Sequence, residues 1–229
     1  NTEVTFESLN LSSSVLKAIE EMGFESPSSI QSASIPLIMK GEDVIAQAQT
    51  GTGKTAAFGI PVAEIVDPTN RNVQAIIITP TRELCIQVAG EIGKLCKHKR
   101  IKELPIYGGQ SYDMQFKALR QGVQVVVGTP GRVIDHIKRG TLKLNDVKIA
   151  ILDEADEMLD MGFIDDIEQI LKETSTDRQT MLFSATMPMA IKTLAKKYMK
   201  SPQHVAITPQ QVTVNLIEQY YYEVKEKYR

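Results

Sequence analysis

Short apolar runs recur along the chain, and polar or glycine-containing residues follow each of them. The runs cover residues 44–46, 75–78, 123–127, 149–152 and 181–183. They are too short for most helices and do not alternate with polar residues, which is typical of strands that are covered on both faces. The pattern therefore predicts a mostly parallel β-sheet.

Stretches with helical spacing separate the apolar runs. Ser12 can cap a first helix that Gly23 ends, and further helices are predicted over residues 55–66, 82–97, 113–120, 132–138, 164–173 and 189–199. Strands that alternate with helices indicate an α/β fold with helices on both faces of the sheet. Ligands of such sheets bind beyond the carboxyl ends of the strands, so the candidate site lies in the residues that follow each run.

Composition and charge narrow the function only slightly. The 229 residues are 42% hydrophobic and 24% charged, which suits a globular domain with a full core. The 26 basic and 28 acidic residues give a net charge of −2, which argues mildly against a dedicated nucleic-acid binder. Any contact with nucleic acid must then rest on a local surface or on backbone amides.

The cysteines and histidines indicate neither a disulfide nor a metal site. Cys85 and Cys96 lie roughly 16 Å apart along one predicted helix, too far for a disulfide. His98, His136 and His204 lack metal-ligand spacing, and all three are predicted at the surface. Reduced cysteines, no apolar run of ~20 residues and no signal-peptide pattern at the start together predict a cytoplasmic protein that does not enter a membrane.

Residues 48–55, which read AQTGTGKT, follow a predicted strand and open a predicted helix. Glycines in such a loop let successive backbone N–H groups point at phosphate oxygens, and the helix behind adds its positive end. Lys54 is predicted to reach the β and γ phosphates of a nucleotide and Thr55 to bind Mg²⁺. Ala48 departs from the strict pattern, which has glycine there. The predicted phosphate-binding residues are Gln49, Thr50, Gly51, Thr52, Gly53, Lys54, Thr55 and Ala56.

An acidic pair follows the apolar run 149–152. Asp153 would stand at the tip of a buried strand, where it can hold Mg²⁺, and Glu154 can orient or deprotonate an attacking water. The alternative is an acid-rich helix start, which the helix dipole favours. Together with the phosphate loop, the pair predicts a Mg-dependent nucleotide triphosphatase in which Lys54, Asp153 and Glu154 are catalytic.

Residues 153–156 read Asp-Glu-Ala-Asp. Together with further sequence motifs that occur in the family's order, they make the chain resemble the DEAD-box RNA helicases over residues 6–224, especially the general bacterial and archaeal ones. Alanine at position 48 is normal in that family. The resemblance implies adenine recognition by Phe6, Phe24, Ser28 and Gln31. It implies RNA contacts by Pro80, Thr81, Arg82, Gly108, Gly109, Thr129, Pro130, Gly131 and Arg132. It implies coupling of hydrolysis to unwinding by Asp156, Ser184 and Thr186.

The resemblance also implies a domain organisation and partners. Residues 1–210 would form a RecA-like P-loop NTPase domain, with a Q motif in residues 1–31, and residues 211–229 a linker and the first strand of a second RecA-like domain. ATP and Mg²⁺ are the implied cofactors, and the RNA backbone and the second domain are the implied partners of a monomer. Because the family takes its transition-state arginines from the second domain, this half is expected to bind nucleotide weakly and to be nearly inactive alone.

Several of these residues could instead have a purely structural role. Phe6 can pack the first helix instead of the base, Arg82 and Arg132 can form ion pairs with nearby acids, and the glycines can serve turn geometry. Asp156, Ser184 and Thr186 can be local helix caps.

Three other functions remain open at this point. They are an ATP-gated RNA clamp that does not unwind, another RecA-type motor such as a DNA helicase, and a partner-binding module with a dead site. The intact Lys54, Asp153 and Glu154 argue against the last.

Overall fold

The computed structural model describes residues 4–49 and 51–207, which build one seven-stranded, fully parallel sheet in the order β3-β4-β2-β5-β6-β1-β7. The strands are β1 (Val44–Gln47), β2 (Ala75–Ile78), β3 (Glu103–Ile106), β4 (Val125–Gly128), β5 (Ile149–Leu152), β6 (Gln179–Ser184) and β7 (Gln203–Ala206). The predicted α/β class with a parallel sheet is confirmed. Over the described ranges, no helix is both long enough and apolar enough to cross a bilayer.

Helices cover both faces of this sheet. They are α1 (Ser13–Glu21), α2 (Ser29–Met39), α3 (Lys54–Ile65), α4 (Arg82–Cys96), α5 (Tyr112–Gln121), α6 (Pro130–Lys138), α7 (Ala155–Asp160), α8 (Ile164–Glu173) and α9 (Met189–Tyr198). Alternate strand residues enter two separate apolar cores: Val44 and Ala46 of β1 join the core under α1 to α4, and Ile45 joins the core under α6, α8 and α9. Burial on both faces explains the continuous apolar runs of the central strands.

The apolar pattern did not predict β3, β7, α2 or α7. Both strands lie at the edges of the sheet and are only partly covered, so neither produces an apolar run; β3 even contains Pro105, which an edge strand tolerates. Cys85 and Cys96 are both buried, and both are free thiols among the described residues. The strand predicted over residues 216–224 lies outside the described residues.

Backbone hydrogen bonds join the loops at the carboxyl edge of the sheet. Ala48 N donates to Ser184 O at 3.1 Å, and Asp153 N donates to Ile78 O at 3.0 Å. On the other side, Thr129 N donates to Ile106 O at 3.0 Å. The strand order therefore divides this edge into two halves, one around β1, β5 and β6 and the other around β2, β3 and β4.

Candidate functional site

The loop between β1 and α3 has the backbone geometry of a phosphate cradle. Gly51 and Gly53 have φ angles of 80° and 86°, a region that L side chains rarely adopt. Gly53 is the N-cap of α3, so the free N–H groups of that helix face the loop. The Gln49 carbonyl accepts a hydrogen bond from Thr52 Oγ1 at 2.8 Å, and Ala56 is buried in the core. Thr50 lies outside the described residues.

Lys54 is the first residue of α3 and is only 7% exposed. Its Nζ is buried and finds no hydrogen-bond acceptor anywhere in residues 4–49 and 51–207. A buried ammonium without a partner is costly, and a bound anion would remove that cost. The surroundings of Lys54 therefore suit an anionic ligand.

A cavity of about 820 Å³ opens over this loop and brings the two predicted chemical elements together. Its lining includes Phe24, Gly51, Gly53, Lys54, Thr55, Asp153 and Glu154. Met22, which directly follows α1, also lines it, together with Leu84, Gln87, Glu91 and Lys94 of α4. None of these five side chains was predicted to line a nucleotide cavity; Leu84 and Gln87 belong to a sequence block for which the resemblance implies RNA contact. The volume suits a nucleotide-sized ligand.

Asp153 stands at the end of β5 and is 3% exposed. Burial raises the pKa of Asp153 to about 7, against the attraction of Lys54, and the negative charge of Glu154 raises it further. Burial thus disfavours the carboxylate form of Asp153, and a bound cation would favour it. Within the described ranges no three His, Cys, Asp or Glu side chains cluster as a metal site. The neighbouring carboxyl groups of Asp153 and Glu154 fit Mg²⁺, which proteins often hold with one or two carboxylates plus phosphates.

Glu154 has an unusual backbone for its residue type. Its φ and ψ of 52° and 53° lie in the left-handed region, which costs a non-glycine residue on the order of 1 kcal/mol. Its N–H donates to Asp153 Oδ1 at 3.1 Å, and its carbonyl accepts from Met158 N in α7. The strain sits at a cavity-lining carboxylate, where such outliers often serve function.

The glutamine of the predicted Q motif contacts the phosphate loop. Gln31 is 4% exposed, its Oε1 accepts from Ser28 N at 2.9 Å, and its Nε2 donates to Gly53 O at 3.1 Å. Ser28 Oγ also donates to Thr52 O at 2.8 Å. In this structure the amide therefore holds the cradle through one of its two N–H groups and one of the two lone pairs of its oxygen.

The two phenylalanines predicted near the base differ in position. Phe6 is 3% exposed and belongs to the core under α1 to α4, so the packing alternative describes this structure. Phe24 is partly exposed and lines the cavity that contains Lys54. Phe24 is the better placed of the two to lie against a nucleotide.

The residues predicted to contact RNA occupy the other half of the carboxyl edge. Thr81 caps α4 by accepting from Leu84 N at 3.2 Å, and Arg82 is exposed with its guanidinium 5.0 Å from the centre of the Tyr107 ring. Gly109 has a φ of 81°, which the turn after β3 requires. Of the other predicted residues, Pro80 is buried, Gly108 is exposed, and Thr129, Pro130 and Gly131 form the start of α6. Their loops are neighbours.

Neither Arg82 nor Arg132 takes part in an ion pair with any described residue. Arg132 Nη1 instead donates to Gln110 O and to Gln115 Oε1, each at 3.1 Å. The ion-pair alternative for these arginines is therefore not what this structure contains.

The surface position predicted for His136 is wrong. Its side chain is fully buried, stacks on Tyr112 with ring centres 4.4 Å apart, and has both ring nitrogens hydrogen-bonded, to Thr141 Oγ1 at 2.8 Å and to Gln115 Oε1 at 2.9 Å. These contacts satisfy the polar atoms, so burial is tolerated. The only sequence signal was that positions 132 and 136 share one helix face. Nothing in the sequence singled out Gln115.

Asp156, Ser184 and Thr186 form a direct contact between α7 and the loop after β6. Asp156 Oδ2 accepts from Thr186 N at 2.8 Å and from Thr186 Oγ1 at 2.9 Å, while Ser184 Oγ accepts from Asp156 N at 3.2 Å. These hydrogen bonds lower the pKa of Asp156 despite its partial burial. The cluster joins two loops across the sheet edge, and it also caps the first turn of α7, so it fits both predicted interpretations.

Comparison with known proteins gives concordant matches. The model of the DEAD/DEAH box helicase family matches residues 28–194. The DEAD-box ATP-dependent RNA helicase CshA of Bacillus subtilis is 54% identical over 98% of this chain, and that of Geobacillus kaustophilus is 56% identical over 97%. The chain covers 45% and 48% of these two proteins, so it spans about half the length of the curated relatives it matches.

Solved structures agree with the fold. A DEAD box protein from the hyperthermophile Methanococcus jannaschii matches with a TM-score of 0.85 and 53% identity, over 88% of this chain and 55% of that one. A hypothetical ATP-dependent RNA helicase from Sulfolobus tokodaii matches with a TM-score of 0.80 and 39% identity, over 86% of this chain and 57% of that one.

Proposed function

Because this chain belongs to the DEAD/DEAH box helicase family, we propose that it is the ATP-binding half of an ATP-dependent RNA helicase. The observation that carries the proposal is the cavity in which the phosphate loop, Lys54, Asp153 and Glu154 meet. The names of its relatives, which describe ATP-dependent RNA helicases, support the same activity for the longer protein.

In the proposed mechanism, the N–H groups at the start of α3 hold the phosphates and Lys54 Nζ donates to the transferred group. Thr55 and Asp153 would hold Mg²⁺, which when bound neutralises charge on the phosphate oxygens. Glu154 orients the attacking water and accepts its proton. Ser28 and Gln31 support the cradle, and Phe24, which lines the same cavity, would lie against the base.

The half of the sheet edge around β2, β3 and β4, which we call the RNA half, is proposed to contact the backbone and sugars of RNA. The exposed backbone of Gly108 and Gly109, together with the guanidinium groups of Arg82 and Arg132, suits phosphates and does not distinguish bases. Such contacts agree with a net charge of −2, because they need only a local surface. The Asp156–Thr186 contact lies at the edge between β5 and β6 and is the proposed link from hydrolysis to RNA release.

A second RecA-like domain after residue 210 is proposed to close over ATP and RNA and to supply arginines for the transition state. Such arginines are worth roughly 10³–10⁵ in rate, so the isolated chain should bind adenine nucleotide weakly and hydrolyse almost none. The predicted monomeric state and cytoplasmic location stay predictions.

The test is ATP hydrolysis by the full-length protein with and without single-stranded RNA, for the wild type and for Glu154→Gln. We expect RNA to stimulate the wild type, and the variant to lose roughly 100-fold or more of the rate while retaining ATP-dependent RNA binding. Glu157→Gln, an exposed glutamate in the same helix, is the matched control and should behave as wild type.

A wild-type rate that ignores RNA, or a Glu154→Gln variant that turns over normally, would refute the proposal. A strand-displacement assay then separates unwinding from ATP-gated clamping. Replacing RNA by DNA of the same sequence tests the alternative of a DNA motor.

A further inference from the structure

One buried side chain, Gln115 of α5, joins the loop after β3 to α6, both of which carry proposed RNA contacts. It is 1% exposed. Its Nε2 donates to Tyr107 O at 3.1 Å and to Gln110 Oε1 at 2.8 Å, both in the loop after β3. Its Oε1 accepts from Arg132 Nη1 at 3.1 Å and from His136 Nε2 at 2.9 Å, both in α6. Two donors and two acceptor positions are thus all in use.

The chemistry of the partners fixes the orientation of this amide. Tyr107 O can only accept, so the NH₂ group of Gln115 must face it, and Arg132 can only donate, so the carbonyl oxygen must face α6. Because that oxygen can only accept, His136 must carry a hydrogen on Nε2. The amide has one arrangement that satisfies every partner.

A second layer holds His136 in place. The Thr141 hydroxyl lies 2.8 Å from His136 Nδ1 and 2.9 Å from the Tyr112 hydroxyl, and the Tyr112 ring is stacked on the imidazole with an interplanar angle of 9°. The Arg139 guanidinium covers the Tyr112 ring at 4.4 Å. The imidazole therefore cannot turn without breaking several contacts.

We propose that Gln115, held by His136, is a positioning residue that fixes the loop 107–110 and Arg132 as one unit for binding the RNA backbone. The proposal rests on the proposed RNA-binding function. Arg132 also donates directly to Gln110 O, so the guanidinium and the loop share one network. A guanidinium and a loop that are already in their bound geometry lose less entropy when RNA binds.

The test uses the full-length protein and an unstructured single-stranded RNA oligonucleotide. The measured quantities are the RNA concentration that gives half of the maximal ATPase rate, the KM for ATP, and kcat at saturating RNA. For Gln115→Ala we expect the half-saturating RNA concentration to rise about 10-fold, because an interaction with a charged group is lost, while KM for ATP and kcat stay within about twofold. Gln121→Ala, at the exposed end of the same helix, is the control and should change nothing.

Two further substitutions separate positioning from general loss of structure. Gln115→Glu keeps an acceptor for Arg132 and removes both donors to the loop, so RNA should still bind less tightly if the loop and Arg132 must be held together. His136→Gln can keep a donor toward Gln115 and should bind RNA better than His136→Leu. If Gln115→Ala does not fold, Gln115→Glu tests the positioning role of the glutamine and the two His136 variants test the role of the histidine.

The outcomes are distinct. A wild type that RNA does not stimulate overturns the proposed function itself. A stimulated wild type whose half-saturating RNA concentration is unchanged in Gln115→Ala and Gln115→Glu overturns only the positioning role. Equal RNA binding by His136→Gln and His136→Leu overturns the role of the histidine, and a loss confined to kcat or to KM for ATP would indicate a structural role.

Discussion

The two halves of the sheet edge treat their buried polar groups in opposite ways. In the nucleotide half, around Lys54 and Asp153, the ammonium has no acceptor among the described residues and burial disfavours the carboxylate. In the RNA half, around Gln115 and His136, the amide and both imidazole nitrogens have partners. Both halves lie at the carboxyl edge of one parallel sheet, so the difference belongs to the residues beyond the strands and not to the sheet itself.

The difference follows the proposed ligands. A Mg-nucleotide brings compact, dense charge of both signs, and charges left unpaired in the nucleotide half can be paired by it. An RNA strand offers spaced phosphates and riboses along an extended backbone, and a surface that binds it gains most from fixed geometry. With these proposed ligands, the unpaired charges of the nucleotide half lower the stability of the free protein and favour ligand binding. The paired polar groups of the RNA half instead stabilise one fixed geometry.

Asp153→Asn is expected to give the largest change, because it removes the carboxylate that burial disfavours. The pKa of Asp153 in the folded chain, about 7, lies above its ordinary value of 3.8. The folded state therefore binds more protons between these values, and stability falls as pH rises from about 4 to 7. Without nucleotide, Asp153→Asn should stabilise the chain by roughly 1–3 kcal/mol at pH 8 and by almost nothing at pH 4.

Urea unfolding at a series of pH values measures this effect. Asp160→Asn, at the exposed end of α7, should stay within about 0.5 kcal/mol of wild type at every pH. An Asp153→Asn variant that is less stable than wild type at pH 8 would mean that the carboxylate is well paired, and the contrast between the two halves would fail.

Gly53→Ala should have a smaller effect, which the matched variant Gly51→Ala isolates. Both glycines have positive φ, so both variants carry backbone strain of order 1 kcal/mol. Only at Gly53 would the new Cβ meet another residue, Gln31 Nε2 at 2.5 Å, whereas nothing lies within 4 Å at Gly51. Gly53→Ala should therefore be less stable than Gly51→Ala by about 1 kcal/mol, the value of a lost buried hydrogen bond.

The measurement is the urea midpoint of the two variants, with nucleotide affinity as a second readout. Equal midpoints would show that Gln31 moves aside without cost. In that case Gln31 is free to leave the phosphate loop for adenine.

The residues of the nucleotide half are more visible in the sequence than those that support the RNA half, for a physical reason. Phosphate binding needs glycines, a lysine and acids at fixed spacing in short loops, so Gly53, Lys54 and Asp153 are visible as motifs. The support of Arg132 comes from Gln115, which lies on another helix and is joined to it by tertiary contacts. No spacing rule relates two such positions.

The same logic applies to the fold. Central strands such as β2 are buried on both faces and read as apolar runs, whereas the edge strands β3 and β7 do not. Each apolar run that was predicted as a strand corresponds to a strand of the sheet. Burial, more than intrinsic strand propensity, therefore produces the apolar pattern. Burial of a polar residue leaves no such pattern, because it depends on partners that the fold brings from elsewhere.

His136 gives the last and smallest expected effect, with the opposite sign to Asp153. Burial and the Arg132 charge lower the pKa of His136 to about 4, below its ordinary value of 6.5. The unfolded chain binds more protons between these values, so the contribution of His136 to stability is complete above about pH 6.5 and is lost as pH falls toward 4. His136→Gln should remove this dependence, which is worth on the order of 1 kcal/mol, while His204→Gln, at an exposed position, should retain it.

The two halves then predict opposite slopes of stability against pH in one unfolding experiment: the slope from Asp153 disappears in Asp153→Asn, and the slope from His136 disappears in His136→Gln. If His136→Gln keeps the wild-type slope in acid, burial and the Arg132 charge do not keep the imidazole neutral, and His136 does not have this buried position beside Arg132 in solution.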